Sequence, residues 1–420
     1  MPEAHPDFFT MDDFDLEGKT VFVRIDVNSP IHPETKEVLG NSRFKSHLET
    51  INALRNSKVV LITHQSRPGT YDFTTTRQHA AVLRRLTGRD VKYVDALFGK
   101  NVEEEVRGMS KGDIIMLENS RFYSEETAID PSDLDAMMTS NIVEKLSPLM
   151  DYYIIDAFPA IHRSQTTLVG FCKAVPNIAG KLIEKEISML EKFRSGTDHP
   201  KIAILGGSKI EDSITVSKSF LEKGIVDTII TGGVVGNAFL WASGIDIGKK
   251  NRDFILKNNK NHEKLLDTAK FLVSKYRDRI LVPQDVVLNP SGKRVKIGEN
   301  GVDGEIMADI GLDTVVVYSE AIMNSKAIFM NGPMGMYELD RYSVGTREIM
   351  SFVARTNALK IVGGGHTLGA LEKLDMLHKI DHASSGGGSL ISYLSGEPMP
   401  VIEALKRSKS HFKGNLDGRR

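Results

Sequence analysis

The chain has 420 residues, of which 40% are hydrophobic and 26% are charged; at roughly 150 residues per domain, this length predicts two or three globular domains. With 54 Lys and Arg against 55 Asp and Glu, the net charge is −1, which argues against a nucleic-acid-binding protein. The single cysteine, Cys172, excludes an intrachain disulfide and a cysteine metal cage, and it favours a cytoplasmic setting.

Neither the first residues nor the most apolar stretch of the chain suggests a membrane or secreted protein. The first residues lack a charged segment followed by an apolar run, so we expect no signal peptide. The most apolar stretch, residues 225–245, contains Asp227, Asn237 and four glycines, so we expect no membrane-spanning helix.

Short β-branched runs alternate with helical patterns along the whole chain. The runs are Thr20–Ile25, Val59–Thr63, Ile114–Leu117, Tyr152–Ile155, Ile202–Leu205, Thr228–Ile230, Ala327–Phe329 and Lys360–Val362. Such near-continuous apolar runs are typical of parallel strands covered on both faces. They predict an α/β fold with two doubly wound, Rossmann-like parallel-sheet domains.

The domain boundary is predicted around a break at Val175-Pro176-Asn177, followed by an amphipathic helical pattern over residues 179–193. We therefore expect an N-terminal domain over residues 1–177, a connecting helix and hinge over 178–194, and a C-terminal domain over 195–394. Residues 395–420 are expected to pack back on the N-terminal domain.

In the first half, cationic and imidazole side chains follow the predicted strands. The polar residues at these strand ends are Arg24, Asp26, Asn28, Arg43, His64, Arg67, Arg121, His162 and Arg163. Arginine offers a planar fork of donors that suits phosphate and carboxylate oxygens. Any one of these arginines alone could form a surface ion pair, and any one histidine alone could have a structural role. Asp26 and Asn28 could stabilise turns. Their recurrence favours a shared anion site.

In the second half, glycine-rich loops follow the strands: it holds 26 of the 36 glycines. The loops cover residues 206–209, 231–233, 362–367 and 385–388. Glycine lets backbone N–H groups approach a phosphate closely, and a helix N-terminus after Gly363–Gly365 would favour an anion. Each loop alone could serve a tight strand–helix turn; four of them favour a nucleotide site, with Lys209 in reach of a phosphate. The spacing matches neither a P-loop nor a dinucleotide fingerprint.

These segments, taken in order, resemble the phosphoglycerate kinase family, and in detail its archaeal branch. The matching segments are VRIDVNSP, SRFK, THQSRPG, LENSRF, DAFPAIHRS, LGGSKIEDSI, NGPMGMYE, VGGGHT and SSGGG. The resemblance runs from about Thr20 to about Leu405 and implies phosphoryl transfer between ATP and 3-phosphoglycerate, giving ADP and 1,3-bisphosphoglycerate.

The resemblance also implies site residues. For 3-phosphoglycerate these are Asp26, Asn28, Arg43, His64, Arg67, Arg121 and Arg163, with His162 beside them. For the nucleotide they are Gly206, Gly207, Lys209, Gly232, Asn331, Pro333, Glu338, Gly363, Gly364, Gly365, His366 and Thr367. Those expected to surround the transferring phosphoryl group are Arg43, Lys209, Gly364 and Gly365.

Three departures from the family pattern stand out. Ser213 occupies the place of a second lysine that many members carry, and Gln65-Ser66 replaces a Leu-Gly-like pair. His366 stands where many members have the aspartate that binds nucleotide-borne Mg²⁺, and an imidazole is a poor ligand for this hard cation. We therefore assign no protein metal ligand and expect Mg²⁺ to be held by nucleotide phosphates and water.

The expected reaction needs no covalent intermediate and no general base, because a carboxylate is already a competent nucleophile. Catalysis would then consist of positioning and charge stabilisation after the two domains close. Two alternatives remain: another ATP-dependent carboxylate kinase, and a non-catalytic two-lobed anion-binding protein. We expect the protein to be a monomer, and we expect no nucleic-acid or membrane partner.

Overall fold

The computed structural model describes residues 7–259, 261–299, 302 and 304–416. The chain forms two compact units, one that runs to Ile187 and resumes at Pro398, and one that comprises Ser188–Glu397. The division falls within the helix Lys181–Ser195, whereas the sequence-based boundaries placed a helix over residues 178–194 between two domains.

The first unit is built from parallel strands and short helices. Its strands are β1 (Phe9–Thr10), β2 (Thr20–Arg24), β3 (Lys58–Ile62), β4 (Val91–Tyr93), β5 (Ile114–Met116), β6 (Tyr152–Ile155) and β7 (Asn177–Ala179). Its helices up to the division are α1 (Ser42–Ser46), α2 (Leu48–Ala53), α3 (Arg77–Thr87), α4 (Lys100–Arg107), α5 (Leu134–Met138), α6 (Asn141–Leu146), α7 (Thr166–Val169) and the start of α8 (Lys181–Ser195).

The order of these strands places a site. They form one sheet in the order β1-β7-β6-β2-β3-β5-β4, and every neighbouring pair is parallel. From β2 the chain adds β3 on one side and later β6 on the other, so the order reverses between β2 and β6. Ligands of open α/β sheets bind outside the carboxyl ends of strands at such a reversal.

The second unit has its own sheets. Its strands are β8 (Lys201–Leu205), β9 (Thr228–Thr231), β10 (Ile280–Leu281), β11 (Asp285–Asn289), β12 (Arg294–Lys296), β13 (Ile306–Ile310), β14 (Ala327–Asn331), β15 (Leu359–Gly363) and β16 (His382–Ala383). Its helices after α8 are α9 (Ile210–Glu222), α10 (Gly233–Ala242), α11 (Lys249–Asn258), α12 (His262–Lys275), α13 (Leu312–Asn324), α14 (Val344–Arg355), α15 (Gly365–Lys373) and α16 (Gly388–Leu394). The final helix, α17 (Pro400–Leu416), belongs to the first unit.

The main sheet of this unit is again parallel, in the order β10-β9-β8-β14-β15-β16. Its order reverses between β8 and β14, which are in register from Ala327 opposite Lys201 to Asn331 opposite Leu205. A separate antiparallel sheet, β12-β11-β13, was not predicted, because its short strands carry no long apolar run.

The predicted α/β fold with two parallel-sheet domains is confirmed. Each predicted strand lies within about two residues of an observed one; Val59–Thr63, for example, corresponds to β3 at Lys58–Ile62. The reason is burial: β8 is buried along its whole length, and β-branched residues suit strands covered on both faces. Within the described part of the chain, no helix combines the length and apolar character that a membrane crossing requires.

Candidate active site

The loop after β2 carries the first predicted site residues. Asp26 is buried, and its Oδ1 lies 3.4 Å from Nη1 of Arg43 in α1. The Arg43 side chain remains 41% exposed, so its guanidinium can also meet a ligand. Burial alone would raise the pKa of the Asp26 carboxyl, but nearby His64, the guanidinium groups of Arg43 and Arg24 and the Asn28 amide outweigh burial and lower that pKa to about 2. Asp26 is therefore ionised at neutral pH.

His64, separated from the end of β3 by Thr63, is fully buried among arginines. Its Nδ1 lies 3.0 Å from Nη2 of Arg24, and its Nε2 lies 3.5 Å from Nη1 of Arg163. Burial and the neighbouring guanidinium groups lower the pKa of His64 well below its ordinary value, despite the opposing attraction of Asp26. A guanidinium can only donate. The shorter contact therefore makes Nδ1 the acceptor from Arg24, the proton of the neutral ring lies on Nε2, and the 3.5 Å approach of Arg163 to Nε2 is then not a hydrogen bond.

Two further arginines add charge to this cluster. Arg121 follows β5, Arg163 follows β6, and both are half-buried. Burial, with the charges of Arg163 and Arg24, lowers the pKa of Arg121 to about 10. Burial also lowers the pKa of Arg163. Because cationic groups held this close repel one another, a bound anion would relieve the repulsion within the cluster.

The remaining predicted residues of this unit are Asn28, Arg67 and His162, and the amide of Asn28 donates to Oδ1 of Asp26 at 3.1 Å. Oδ1 of Asn28 accepts the amide of Ser66 at 3.0 Å, and Ser66 has a left-handed φ of 55°. Arg67, the next residue, is exposed. His162 is exposed as well, and its Nε2 accepts from Nε of Arg163 at 3.4 Å. The predicted residues in direct contact or electrostatic reach of one another are Asp26, Asn28, Arg43, His64, Arg121 and Arg163.

In the second unit, the loops after β8 and β14 lie against each other. A Cβ on Gly206 would overlap the carbonyl oxygen of Pro333, and one on Gly332 would overlap the carbonyl oxygen of Gly206. Gly332 also has a φ of +94°, which favours glycine. These glycines let two backbones meet where the strand order reverses, with the exposed Lys209 just beyond.

These loops border a cavity of about 340 Å³. The predicted nucleotide-site residues that line it are Gly206, Gly207, Lys209, Asn331, Pro333, Glu338, Gly364, Gly365, His366 and Thr367. Gly232 and Gly363 do not line this cavity, and their place in the nucleotide site stays a prediction. A Cβ on Gly232 would come within 2.6 Å of Sδ of Met334, and one on Gly363 would overlap Leu390; both glycines serve packing.

The start of α15 forms one end of this cavity. Gly364 has a φ of +85°, and the first amides of α15 lack partners within their own helix, which suits an anion. Oγ1 of Thr367 accepts the amide of Gly332 at 2.7 Å and so ties α15 to the loop after β14. Nδ1 of His366 lies 3.6 Å from Oε1 of Glu338; both are exposed, and such pairs contribute little stability.

Comparison with known proteins identifies the family of the chain. The sequence model of the family described as Phosphoglycerate kinase matches residues 11–397. The chain belongs to this family. It is 61% identical over 408 residues to the phosphoglycerate kinase of Thermoplasma acidophilum, covering 97% of this chain and 100% of that one. It is 44% identical over 404 residues to that of Methanothermus fervidus, covering 96% and 98%. The resemblance stated from the motifs is confirmed.

Solved structures agree. The phosphoglycerate kinase of Pyrococcus horikoshii OT3 superposes with a TM-score of 0.87 at 36% identity, covering 96% of this chain and 100% of that chain. That of Coxiella burnetii gives a TM-score of 0.78 at 27% identity, covering 95% and 98%.

The sequence analysis missed the apolar wall of the cavity. Exposed Phe254, Ile306 and Met336 line it together with the amide side chains of Asn237 and Asn251. A flat apolar wall with a few polar groups suits a heteroaromatic base. No spacing rule links α11, β13 and the loop after β14 in the sequence, so only the fold brings these residues together.

Arg24 was noted among the strand-end residues but was not placed in the predicted site of this phosphoglycerate kinase family member. It is fully buried, and its Nη2 lies 3.6 Å from Oε1 of Glu126. Glu126 in turn accepts from the amide and hydroxyl of Thr167 at 2.9 and 2.7 Å. The sequence signal that could have predicted this network is Arg24 itself, a charged residue at the end of the apolar strand β2.

The residues of the cavity do not fit a resident metal ion. Across the residues that the structure describes, no group of three or more His, Cys, Asp or Glu side chains could hold one. The carboxylates lining the cavity are Asp212 and Glu338, and Glu338 faces His366.

Proposed function

We propose that the protein transfers the γ-phosphoryl group of ATP reversibly to the carboxylate of 3-phospho-D-glycerate, giving ADP and 1,3-bisphosphoglycerate. The observation that carries this proposal is the cationic cluster around neutral His64, at the strand-order reversal of a chain that belongs to the phosphoglycerate kinase family.

The cluster supplies what an acceptor with two anionic groups needs. Arg121 and Arg163 provide positive charge, and burial together with neighbouring cationic groups lowers the pKa of each. Nε2–H of His64 is a neutral donor, and the ionised Asp26 can accept from a hydroxyl group. An acceptor carrying phosphate, hydroxyl and carboxylate would use all of these, with Arg67, Asn28 and His162 as outer contacts.

The cavity of the second unit would take the nucleotide. The base would lie against Phe254 and its apolar neighbours, and the phosphates would lie at the start of α15, near Lys209. Mg²⁺ would arrive bound to the phosphates, as part of the substrate. Glu338 would accept from a ribose hydroxyl.

The transfer itself needs no proton movement. One oxygen of the acceptor carboxylate forms a bond to the γ-phosphorus, and the bond from that phosphorus to the β,γ-bridging oxygen breaks, so ADP leaves with the electron pair. Arg43, Lys209 and the amides of Gly364 and Gly365 would stabilise the charge on the equatorial oxygens. The lowered pKa of His64 is compatible with this, since no general base is required.

Direct in-line transfer requires the two substrates to meet and water to be excluded, so we propose that the two units close about the hinge during turnover. Small-angle scattering should show a smaller radius of gyration with both substrates bound than with either alone. An unchanged radius would contradict closure.

A coupled assay tests the reaction. ATP and 3-phosphoglycerate are supplied with glyceraldehyde-3-phosphate dehydrogenase and NADH, with and without Mg²⁺, and NADH loss should require both substrates. Activity with a different carboxylate but not with 3-phosphoglycerate would favour another carboxylate kinase. Binding of 3-phosphoglycerate without turnover and without ATP binding would favour a two-lobed anion-binding protein.

We further propose that the protein works as a monomer in the cytoplasm, without nucleic-acid or membrane partners. The balanced charge supports the lack of a nucleic-acid partner, the single cysteine, buried at Cys172, supports the cytoplasmic setting, and the monomer rests on the family resemblance.

A further inference from the structure

A histidine and an aspartate that the proposed mechanism does not use form a buried pair in the first unit. His47 directly follows α1, Asp156 directly follows β6, and both side chains are fully buried. Nδ1 of His47 lies 2.8 Å from Oδ2 of Asp156. Burying a carboxylate destabilises the fold unless hydrogen bonds satisfy both of its oxygens. The contacts of Oδ1 of Asp156 and of Nε2 of His47 therefore show which parts of the unit this pair connects.

On one side, the pair contacts the proposed acceptor site. Nε2 of His47 lies 3.1 Å from the amide nitrogen of Asp26. Arg43, four residues earlier, lies beside the carboxylate of the same Asp26. Residues four apart share one face of a helical turn. One short segment therefore holds Asp26 twice, by its main chain through His47 and by its side chain through Arg43.

On the other side, the pair contacts the start of α8. Oδ1 of Asp156 accepts the amide of Leu182 at 3.0 Å. A Cβ on Gly180 would overlap this carboxylate, so glycine is needed there for Asp156 to reach the helix. Asp156 is thus fixed by α8 while it holds His47.

These contacts determine which ring nitrogen carries the proton. The Asp156 carboxylate can only accept, so Nδ1–H of His47 donates to it, and Nε2 accepts from the Asp26 amide. A proton on Nε2 would instead point to the carbonyl oxygen of Asp26, 3.2 Å away, and would leave the buried amide facing another N–H group.

We infer that His47 is a positioning residue for the acceptor site: it holds the Asp26 main chain where Arg43 meets the Asp26 carboxylate, and Asp156 sets its tautomer. This inference rests on the proposed function, in which Asp26 and Arg43 act on the acceptor. A merely structural pair would stabilise the fold without affecting the use of one substrate.

Two substitutions separate these roles. His47→Asn keeps an N–H group near the position of Nδ1, facing Asp156, and removes the acceptor for the Asp26 amide. His47→Gln keeps an oxygen near the position of Nε2, facing Asp26, and removes the donor to Asp156. We expect His47→Asn to raise KM for 3-phosphoglycerate about tenfold, which corresponds to about 1.4 kcal/mol, with KM for ATP unchanged. We expect His47→Gln to keep KM near the wild-type value although it lowers Tm more.

Tyr153→Phe is the control for stability alone. It removes a buried hydrogen bond to the carbonyl oxygen of Thr167 and should lower Tm without changing either KM. Equal KM values in the two His47 variants, or KM values that follow Tm across all three variants, would overturn the inference.

The tautomer provides a test that does not depend on turnover. In ¹⁵N-histidine-labelled wild-type protein, the His47 ring, identified by its loss in His47→Gln, should show a protonated Nδ1 and an unprotonated Nε2. The opposite tautomer would overturn the inference even with full activity. Absence of turnover in the wild-type protein would instead count against the proposed function.

Discussion

Arg24 donates to Nδ1 of His64 across 3.0 Å, and both side chains are fully buried. The same Nη2 atom lies 3.6 Å from Glu126. One arginine therefore orients the imidazole of the proposed acceptor site and also neutralises a buried carboxylate. Both roles follow from the guanidinium, which stays charged and donates in more than one direction.

Replacing Arg24 should separate these roles. Arg24→Gln should lower the free energy of unfolding by about 3 kcal/mol or more, because it leaves Glu126 buried without its cation, and it should weaken 3-phosphoglycerate binding because His64 loses its orientation. Urea denaturation and calorimetric titration measure the two effects. Thr167→Val is the control: it removes a hydrogen bond of Glu126 and should cost stability with acceptor affinity unchanged. Equal weakening of acceptor binding in both variants would refute the orienting role.

Arg43→Ala should lower kcat about 10³-fold or more while changing 3-phosphoglycerate binding much less, because in the proposed mechanism its contact with the transferring phosphoryl group forms mainly in the transition state. Steady-state kinetics and equilibrium titration measure the two. Arg84→Ala, which removes an exposed ion pair with Asp90, should leave both unchanged. A comparable loss of ground-state affinity in Arg43→Ala would contradict this role.

Two equally exposed phenylalanines test the base-binding wall. Phe254 and Phe271 are each 45% exposed, but only Phe254 lines the cavity. Phe254→Ala should raise KM for ATP by about 5- to 10-fold with kcat nearly unchanged, because stacking contributes equally to the ground and transition states. Phe271→Ala should change neither. If both variants behave alike, the base binds elsewhere.

Asp309 should make stability depend on pH. Burial raises the pKa of Asp309 from 3.8 to about 7, against the hydrogen bonds it accepts from the amides of Gly345 and Ile310. The folded protein therefore holds this proton to higher pH than the unfolded chain. The stabilisation is complete below pH 3.8 and is lost as pH rises towards about 7, at about 1.4 kcal/mol per pH unit.

Asp309→Asn provides the comparison, because an amide has no proton to lose in this window. Urea unfolding of both proteins at several pH values should show the wild-type protein losing stability relative to Asp309→Asn as pH rises. A difference that stays constant with pH would show that Asp309 does not hold its proton.

The proposed site was partly visible in the sequence. Strand-end arginines and glycine loops can be read from the pattern because parallel strands bring their carboxyl ends to one edge of a sheet, and that is where Arg163 and Asn331 lie. Gly232 and Gly363 fit the same pattern, and the structure adds a packing reason for them that the motif does not reveal, because a Cβ on either would meet Met334 or Leu390.

The sequence did not reveal residues whose proposed role is to position another residue. His47 and Asp156 are 109 positions apart, and no periodicity links them. Phe254 and Ile306 come from different elements of the second unit and share a wall only because the fold packs α11 near β13.

By itself, the sequence determined the α/β class, the parallel strands and the family, because apolar runs and ordered motifs are properties of local chain segments. The tertiary structure alone decided which charges are buried, which ring nitrogen of His64 carries the proton and which glycines face the cavity. These depend on desolvation and on contacts between residues far apart in the chain, and neither is encoded in any one segment.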